Sequence, residues 1–312
     1  MQRKTRDTLI SYVFLAPFLV IFGVFLFYPI FYSLILSFQR NTIYSDFYNV
    51  FADMQWVGFD NYRVLLKDPE FWWSLLMTFY YACLTIPCGI SMALLLALVL
   101  SNRLPGRSFF RSAFFLPNVL DMLVIGIIWT LIYAPKFGVL AIAFKAMDLG
   151  AWADRGLLAD PVTVLPAVAL AMVLKGSGFG MVLYLTAIQN IPQSIYEAAD
   201  LDGAGWWSKL RHITWPMVKP ITLFLIVTGV LGSLNAFTEI YAMTASGSGG
   251  GGPATSVFGH TVGASRISGF YLYKIFDEGQ YGYAAAVSYL LLIVAITVSM
   301  INLKFFQPKA VK

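Results

Sequence analysis

Six long apolar runs constrain the fold of this 312-residue chain more than any other feature. A transmembrane helix needs about 20 predominantly apolar residues, and every run reaches that length. The runs cover roughly residues 10–38, 73–101, 111–134, 161–189, 218–244 and 282–306. Charged residues make up 12% of the chain, against about 25% in soluble domains. We therefore predict an all-α polytopic membrane protein with six transmembrane helices, and we exclude an ordinary soluble enzyme.

Basic residues are distributed unequally between the two sides of the predicted membrane domain. The side with both termini carries 12 Lys and Arg residues against four acidic residues, whereas the other side carries eight basic and ten acidic residues. Because cytoplasmic loops are enriched in Lys and Arg, we expect both termini in the cytoplasm of a multi-pass protein of the cytoplasmic (inner) membrane. The net charge of +5 then reflects topology and does not indicate a nucleic-acid partner.

The apolar runs divide the chain into three parts. Residues 1–72 hold the first transmembrane helix and an external segment, residues 73–306 form a core membrane domain with a cytoplasmic loop at 190–217, and residues 307–312 form a cytoplasmic tail. Gly and Pro residues recur inside the runs, most densely at 176–180. They indicate either broken helices around a cavity or close helix packing.

The start of the cytoplasmic loop predicts a short helix with defined ends. Ser194 and Glu197 have the spacing of a capping box, which would begin this helix. Gly203 can end it, because glycine readily adopts the left-handed conformation found after many helices.

The rest of the loop predicts a second short amphipathic helix. Trp206, Leu210 and Ile213 lie on one apolar stripe, and Pro216 is expected to end this helix. Two such helices would make a rigid knob at the membrane surface. It either rests on membrane lipid or docks on a partner, and the residues alone favour neither.

A specific pattern of residues identifies the loop. Glu197, Ala198, Ala199, Asp202, Gly203, Ala204, Ile213 and Pro216 stand at the spacing of the EAA loop, and the loop resembles that of permease subunits of binding-protein-dependent ABC importers. Trp215 stands where that family usually has Leu. Three further stretches, at 58–62, 110–117 and 282–286, are similar to the carbohydrate branch of the family, which includes maltose, lactose and glycerol-phosphate permeases.

The resemblance implies the permease fold of a type I ABC importer and a set of partners. These are a second permease subunit forming a heterodimer, a dimer of ATPase subunits, an extracytoplasmic solute-binding protein, and a translocated sugar, such as an oligosaccharide or a glycerol phosphate. In that family the EAA loop inserts into a cleft of the ATPase. We therefore expect Glu197 to pair with a basic residue there and Gly203 to permit the turn. ATP and Mg²⁺ would be used by the ATPase subunits, so this chain is expected to bind no cofactor or metal and to be no enzyme.

Polar, charged and small residues within the spans are candidates for the transport pathway, because intramembrane charges are costly and because maltose-type relatives line their cavity with the helices that flank the EAA loop. The candidates are Asp121, Lys175, Gly176, Phe179, Tyr184, Thr228, Gly232, Asn235 and Glu239. Aromatic faces, amides and hydroxyls suit a sugar, whereas Lys175 suits an anionic solute such as a sugar acid or phosphate. A purely structural ion pair between Lys175 and Glu239 is an equally open alternative.

Two other functions share parts of this pattern. A proton-coupled secondary carrier would also have six spans and buried charges, but it would be expected to show an internal repeat, and none is visible. An ABC permease for a non-sugar solute such as a polyamine would keep the EAA loop and usually differ at 58–62 and 282–286. The sequence has no GxxxxGK[ST] motif for ATP, so the energy for transport would come from another subunit.

Overall fold

The computed structural model describes residues 2–41, 54–102, 104–244, 251–257 and 259–306. The predicted tail at 307–312 lies outside the described residues. In the described part of the chain, the helices are α1 Gln2–Phe22, α2 Tyr28–Leu36, α3 Asp60–Lys67, α4 Pro69–Ser101, α5 Arg107–Val119, α6 Met122–Ile132, α7 Val139–Ala146, α8 Gly150–Arg155, α9 Val164–Gln189, α10 Gln193–Leu201, α11 Trp206–Lys209, α12 Trp215–Leu234, α13 Thr238–Thr244, α14 Ser268–Asp277 and α15 Tyr281–Phe306.

Two antiparallel hairpins complete the described structure, and neither was predicted from the sequence. Strands β1 (Gln39–Arg40) and β2 (Gln55–Trp56) pair with Gln39 opposite Trp56. Strands β3 (Ala254–Val257) and β4 (His260–Gly263) pair with Ala254 opposite Gly263.

Five helical segments are long and apolar enough to cross a membrane, in agreement with five of the six predicted spans. They are Ile10–Leu36, Pro69–Ser101, Val164–Gln189, Trp206–Leu234 and Tyr281–Ile301. The predicted third span at 111–134 is not one helix. It consists of α5 and α6, which bend by 105° at the break between them. Asp121 lies at this break, where its carboxylate accepts a hydrogen bond from the Leu123 N–H (2.8 Å) and caps α6.

Two π-helical turns carry the chain past prolines. In Gly23–Phe27 and Leu210–Thr214, the closing hydrogen bond runs to the carbonyl five residues back, as from Tyr28 N–H to Gly23 and from Trp215 N–H to Leu210. Pro29 comes directly after Tyr28, and Pro216 comes directly after Trp215. A proline lacks the N–H and collides with the carbonyl four residues back, and a wider turn accommodates this defect. The expectation that Pro216 ends a short helix is therefore wrong, since helical structure continues from Trp206 to Leu234.

The chain divides into two compact units. The first unit combines Met1–Asp68 with Leu272–Ile293, and the second combines Pro69–Tyr271 with Val294–Lys312. The sequence does not predict that Leu272–Ile293 joins the N-terminal residues.

Within the first unit, the end of α2 is held by hydrogen bonds and close packing. The fully buried Asn61 side chain donates hydrogen bonds to the carbonyls of Ser37 (2.9 Å) and Gln39 (2.8 Å). Gly282 packs so closely that a Cβ atom there would overlap the Gln39 carbonyl oxygen. Two stretches that resemble the carbohydrate branch, one around Asn61 and one around Gly282, therefore meet at the end of the first span.

Within the second unit, α9 contributes more residues to the two buried clusters than any other helix. Its first half packs with α4, α6, α13 and the start of α14 around Val168 and Ile240. Its second half packs with α4 and α12 around Met181 and Val218. Because α9 has 26 residues and a helix rises about 1.5 Å per residue, it extends for about 39 Å, which is enough to cross a bilayer core of about 30 Å.

The Gly-rich stretch 176–180 lies in an unbroken helix, so the expectation of a broken helix at this point is wrong. A Cβ atom at Gly178 would overlap the carbonyl oxygen of Phe114 on α5, and one at Gly180 would lie 2.7 Å from the Ala93 Cβ on α4. Nothing lies within 4 Å of the corresponding position at Gly176. Close helix packing therefore explains Gly178 and Gly180, whereas Gly176 faces open space.

The contrast between Gly178 and Gly176 gives a matched test of this packing. Alanine favours a helix over glycine by about 1 kcal/mol, but overpacking at a tight contact costs about 1–3 kcal/mol. Gly178→Ala should therefore lower the apparent melting temperature of the purified protein in detergent, whereas Gly176→Ala should leave it unchanged or raise it. Equal behaviour of the two variants would contradict the packing of α5 on α9.

Candidate functional site

The first helix of the loop at 190–217, α10, begins differently from the prediction and ends as predicted. It begins at Gln193 after Pro192 without a side-chain cap, so the predicted capping box of Ser194 and Glu197 is wrong. At the other end Gly203 adopts the left-handed conformation with φ 75°. The N–H of Ala204 donates to the Ala199 carbonyl (2.9 Å) and that of Gly203 to the Asp200 carbonyl (3.1 Å). These two bonds form a Schellman motif.

Two side-chain contacts attach α10 to the helix that starts at Trp206. The hydroxyls of Tyr196 and Thr214 share a hydrogen bond of 2.9 Å, and Thr214 is buried. The Lys209 ammonium pairs with the Asp200 carboxylate at 2.6 Å. We call this set of four residues the loop brace. It joins the loop helix to the same continuous helix that crosses the predicted membrane.

The loop presents a mixed polar and apolar surface. Glu197, Ala198, Asp202 and Pro216 are exposed, and Ala199, Ala204 and Ile213 are half-buried. Leu201, at the end of α10, is 91% exposed. Leu201 thus lies one helical turn from the exposed Glu197 carboxylate.

The helix that follows α10 begins with an exposed tryptophan pair. The rings of Trp206 and Trp207 lie 5.9 Å apart, and both side chains are exposed. Leu210, from the predicted apolar stripe, is half-buried. An open cavity of about 800 Å³ lies between the loop and the adjoining ends of α4 and α9, with Ser101, Gln189 and Lys209 among its lining residues.

Several of the pathway candidates lie on exposed faces of α9 and α12. Gly176 and Phe179 are exposed on α9, and Lys175 beside them is half-buried. Thr228 and Gly232 are exposed on α12, and Asn235 follows its end.

The polar groups of this set keep hydrogen-bonding capacity. The Thr228 hydroxyl donates to the Phe224 carbonyl of its own helix (2.8 Å), and the Asn235 amide donates to the Leu231 carbonyl (2.9 Å). Each side-chain oxygen can still accept a hydrogen bond from a solute hydroxyl.

The other three candidates have structural surroundings. Tyr184 is fully buried, and its hydroxyl shares a hydrogen bond of 2.8 Å with Thr222, which ties α9 to α12. Glu239 is buried and accepts a hydrogen bond from the Tyr81 hydroxyl (3.2 Å). Asp121 is an exposed helix cap.

Lys175 lies near the buried Glu239 without replacing Tyr81 as its partner. The side-chain hydrogen bond to the Glu239 carboxylate comes from the Tyr81 hydroxyl. The half-buried Lys175 side chain lies beside Gly176 and Phe179. In the part of the chain that the structure describes, no group of three His, Cys, Asp or Glu side chains could hold a metal ion.

Comparisons with known proteins agree with this geometry. Residues 70–312 match the family model described as "Binding-protein-dependent transport system inner membrane component". The chain is 34% identical to the probable ABC transporter permease protein YurN of Bacillus subtilis, over 97% of each chain. It is 32% identical to the lactose transport system permease protein LacF of Rhizobium radiobacter, over 94% of this chain and 92% of the relative. It is also 32% identical to the arabinooligosaccharides transport system permease protein AraP of Bacillus subtilis, over 94% and 87%.

A solved structure shows the same fold. A chain of a bacterial ABC transporter involved in the import of the acidic polysaccharide alginate superposes with a TM-score of 0.80, at 21% identity, over 100% of this chain and 99% of that one. The family model matches most of the chain, and the relatives are of similar length. This chain is a multi-pass membrane protein that belongs to the family of inner membrane components of binding-protein-dependent transport systems.

Proposed function

We propose that this chain is the permease subunit of an ATP-driven importer that moves a sugar, an oligosaccharide or a sugar derivative across the inner membrane. The loop brace is the main observation in support of this proposal, because it joins the exposed helix α10 to the helix that bears Thr228 and Gly232. The names of LacF and AraP, which refer to lactose and arabinooligosaccharides, support a carbohydrate substrate.

The proposed mechanism transmits movement from the loop to the pathway. A dimer of partner ATPase subunits would bind and hydrolyse ATP with Mg²⁺, and α10 would insert into a cleft of one ATPase subunit. Glu197 would pair with a basic residue there, and the apolar side chain of Leu201 would enter the same cleft. Because Tyr196 and Asp200 are bound to Thr214 and Lys209, movement of α10 would move α12. The adjoining cavity leaves room for that movement.

The proposed assembly contains two permease subunits with both termini in the cytoplasm. Because α9 is long enough to cross a bilayer, the loop after Gln189 and the segment before Val164 would lie at opposite membrane faces. An extracytoplasmic solute-binding protein would deliver the substrate to the face opposite the loop. An alginate transporter solved with its periplasmic protein provides a precedent for this arrangement. A different chain is proposed as the second permease.

Lys175, Gly176, Phe179, Thr228, Gly232 and Asn235 are proposed to line the pathway from this subunit. Phe179 offers an aromatic face for a sugar ring, and Thr228 and Asn235 offer oxygens for its hydroxyls. The positive charge of Lys175 would repel a polyamine, so this alternative substrate is disfavoured. Tyr184, Glu239 and Asp121 would act on the pathway indirectly, through packing, hydrogen bonding and helix capping.

Substitution of Gly203 tests the coupling role of the loop. A β-branched residue in the left-handed conformation costs about 1–3 kcal/mol, so Gly203→Val should distort the end of α10. We expect loss of transport and of ATPase stimulation by the loaded binding protein in the reconstituted complex. Gly205→Val is the matched control, since Gly205 has an ordinary φ of −67° and nothing within 4 Å of a Cβ atom. Normal transport by Gly203→Val would contradict the proposal.

Substitutions in the proposed pathway should separate solute binding from coupling. Phe179→Ala removes an exposed aromatic face, and Asn235→Ala removes an amide. Each variant should raise the solute concentration for half-maximal uptake, while basal ATP hydrolysis and subunit assembly stay unchanged. Val182→Ala, another exposed position on α9, serves as the control. Unchanged uptake in both pathway variants would exclude these side chains from solute contact.

A further inference from the structure

The segment between α6 and α9 carries an exposed apolar surface that the proposed transport mechanism does not use. Phe137 is 85% exposed, Val139 and Met147 are each 69% exposed, and Ile142 is 61% exposed. Trp152 on α8 is also exposed. Soluble surfaces rarely expose so many large apolar side chains together, so this surface requires an apolar environment or a partner.

Helix α7 is apolar on both of its faces. Its inner face places Ala141 in a buried position and packs Leu140 against the core of the second unit. Its outer face carries Val139 and Ile142, which are one helical turn apart. Apolar helix faces are normally covered, so the outer face of α7, apart from Lys145 in its last turn, is expected to be covered as well.

This surface continues the apolar surface of α6. Leu131, in the last turn of α6, is exposed, as are Ile127 and Val124 one and two turns earlier. The connection to α7 is tight, because a Cβ atom at Gly138 would lie 2.5 Å from the Ile132 carbonyl oxygen. The direction of α7 relative to α6 is thereby restricted. The exposed apolar residues at the end of α6 are therefore followed, across a tight connection, by the exposed apolar residues of α7.

Charged and strained residues border the same surface. The Lys145 ammonium reaches back to the Lys136 carbonyl (3.4 Å), as expected of a lysine whose stem lies on apolar surface while its charge stays in water. Lys136 and Asp148, on either side of α7, have positive φ values of 66° and 58°, and such residues persist only where other interactions offset the strain. Contact of the exposed Phe137 side chain with lipid would supply such an interaction beside Lys136.

We propose that α7 and the following turn to Trp152 lie in the membrane interface, with Phe137, Val139, Ile142 and Met147 inserted among lipid headgroups and upper acyl chains. The occupant of this surface is membrane lipid, at the face opposite the cytoplasmic loop. Trp152 would stand at headgroup level, where tryptophan is enriched. The segment would thereby hold the outer end of α6 at a constant depth in the membrane.

Lipid contact can be measured in the assembled transporter. The free, exposed Cys83 and Cys88 are replaced by Ser, and a single cysteine is introduced as Ile142→Cys, with Val139→Cys as a second position. A bimane label on this cysteine is followed in nanodiscs of phosphatidylethanolamine with a minor fraction of phosphatidylglycerol. Asp154→Cys, at an exposed charged position on α8, is the matched control.

Nitroxide groups on the upper acyl chain should quench the labels at 142 and 139 several-fold more than the label at 154. A water-soluble quencher should give the reverse order, and addition of the solute-binding protein should change neither result. Equal access of water to positions 142 and 154 would overturn the proposal, since the surface would then be bare. Shielding that appears only with the binding protein, or shielding from both quenchers, would overturn it in favour of a protein partner.

Discussion

The loop brace is the interaction on which the transport account depends. Two contacts join α10 to the helix from Trp206 to Leu234. They are the hydrogen bond between Tyr196 and Thr214 and the ion pair between Asp200 and Lys209. A loop tethered only by its backbone would absorb a push from an ATPase by bending. With the brace in place, the same push would be transmitted to the helix that carries the proposed pathway residues.

Two local features make the brace effective. The π-helical turn at Leu210–Thr214 lets the helix continue past Pro216, so no break separates the brace from the membrane span. The Schellman motif at Gly203 fixes the return of the chain after α10. The core around α9 provides the frame against which the two joined helices would move, because Gly178 and Gly180 hold α9 tightly against α5 and α4.

Much of the fold could be predicted from the sequence, because a 20-residue apolar run and a glycine after a helix are local signals. The spans and the left-handed Gly203 belong to this class. The break at Asp121 has a local signal, since Asp is a common N-cap residue and the capping bond spans only two residues, but the apolar run around it favours a single span. The loop brace joins residues 9 and 18 positions apart, and the burial of Tyr184 depends on three packed helices. Such features arise only from tertiary packing, which no local pattern encodes.

A double-mutant cycle on the brace tests the central claim most directly. The quantity to measure is the number of solute molecules imported per ATP hydrolysed, by the reconstituted complex with Tyr196→Phe, Thr214→Val or both. Because one hydrogen bond joins the two hydroxyls, worth about 1 kcal/mol, each single change should lower the ratio and the double change should lower it no further. Thr186→Val, which removes a hydroxyl bonded within α9, should leave the ratio unchanged. Normal ratios in both single variants, or independent losses that multiply in the double variant, would contradict the account.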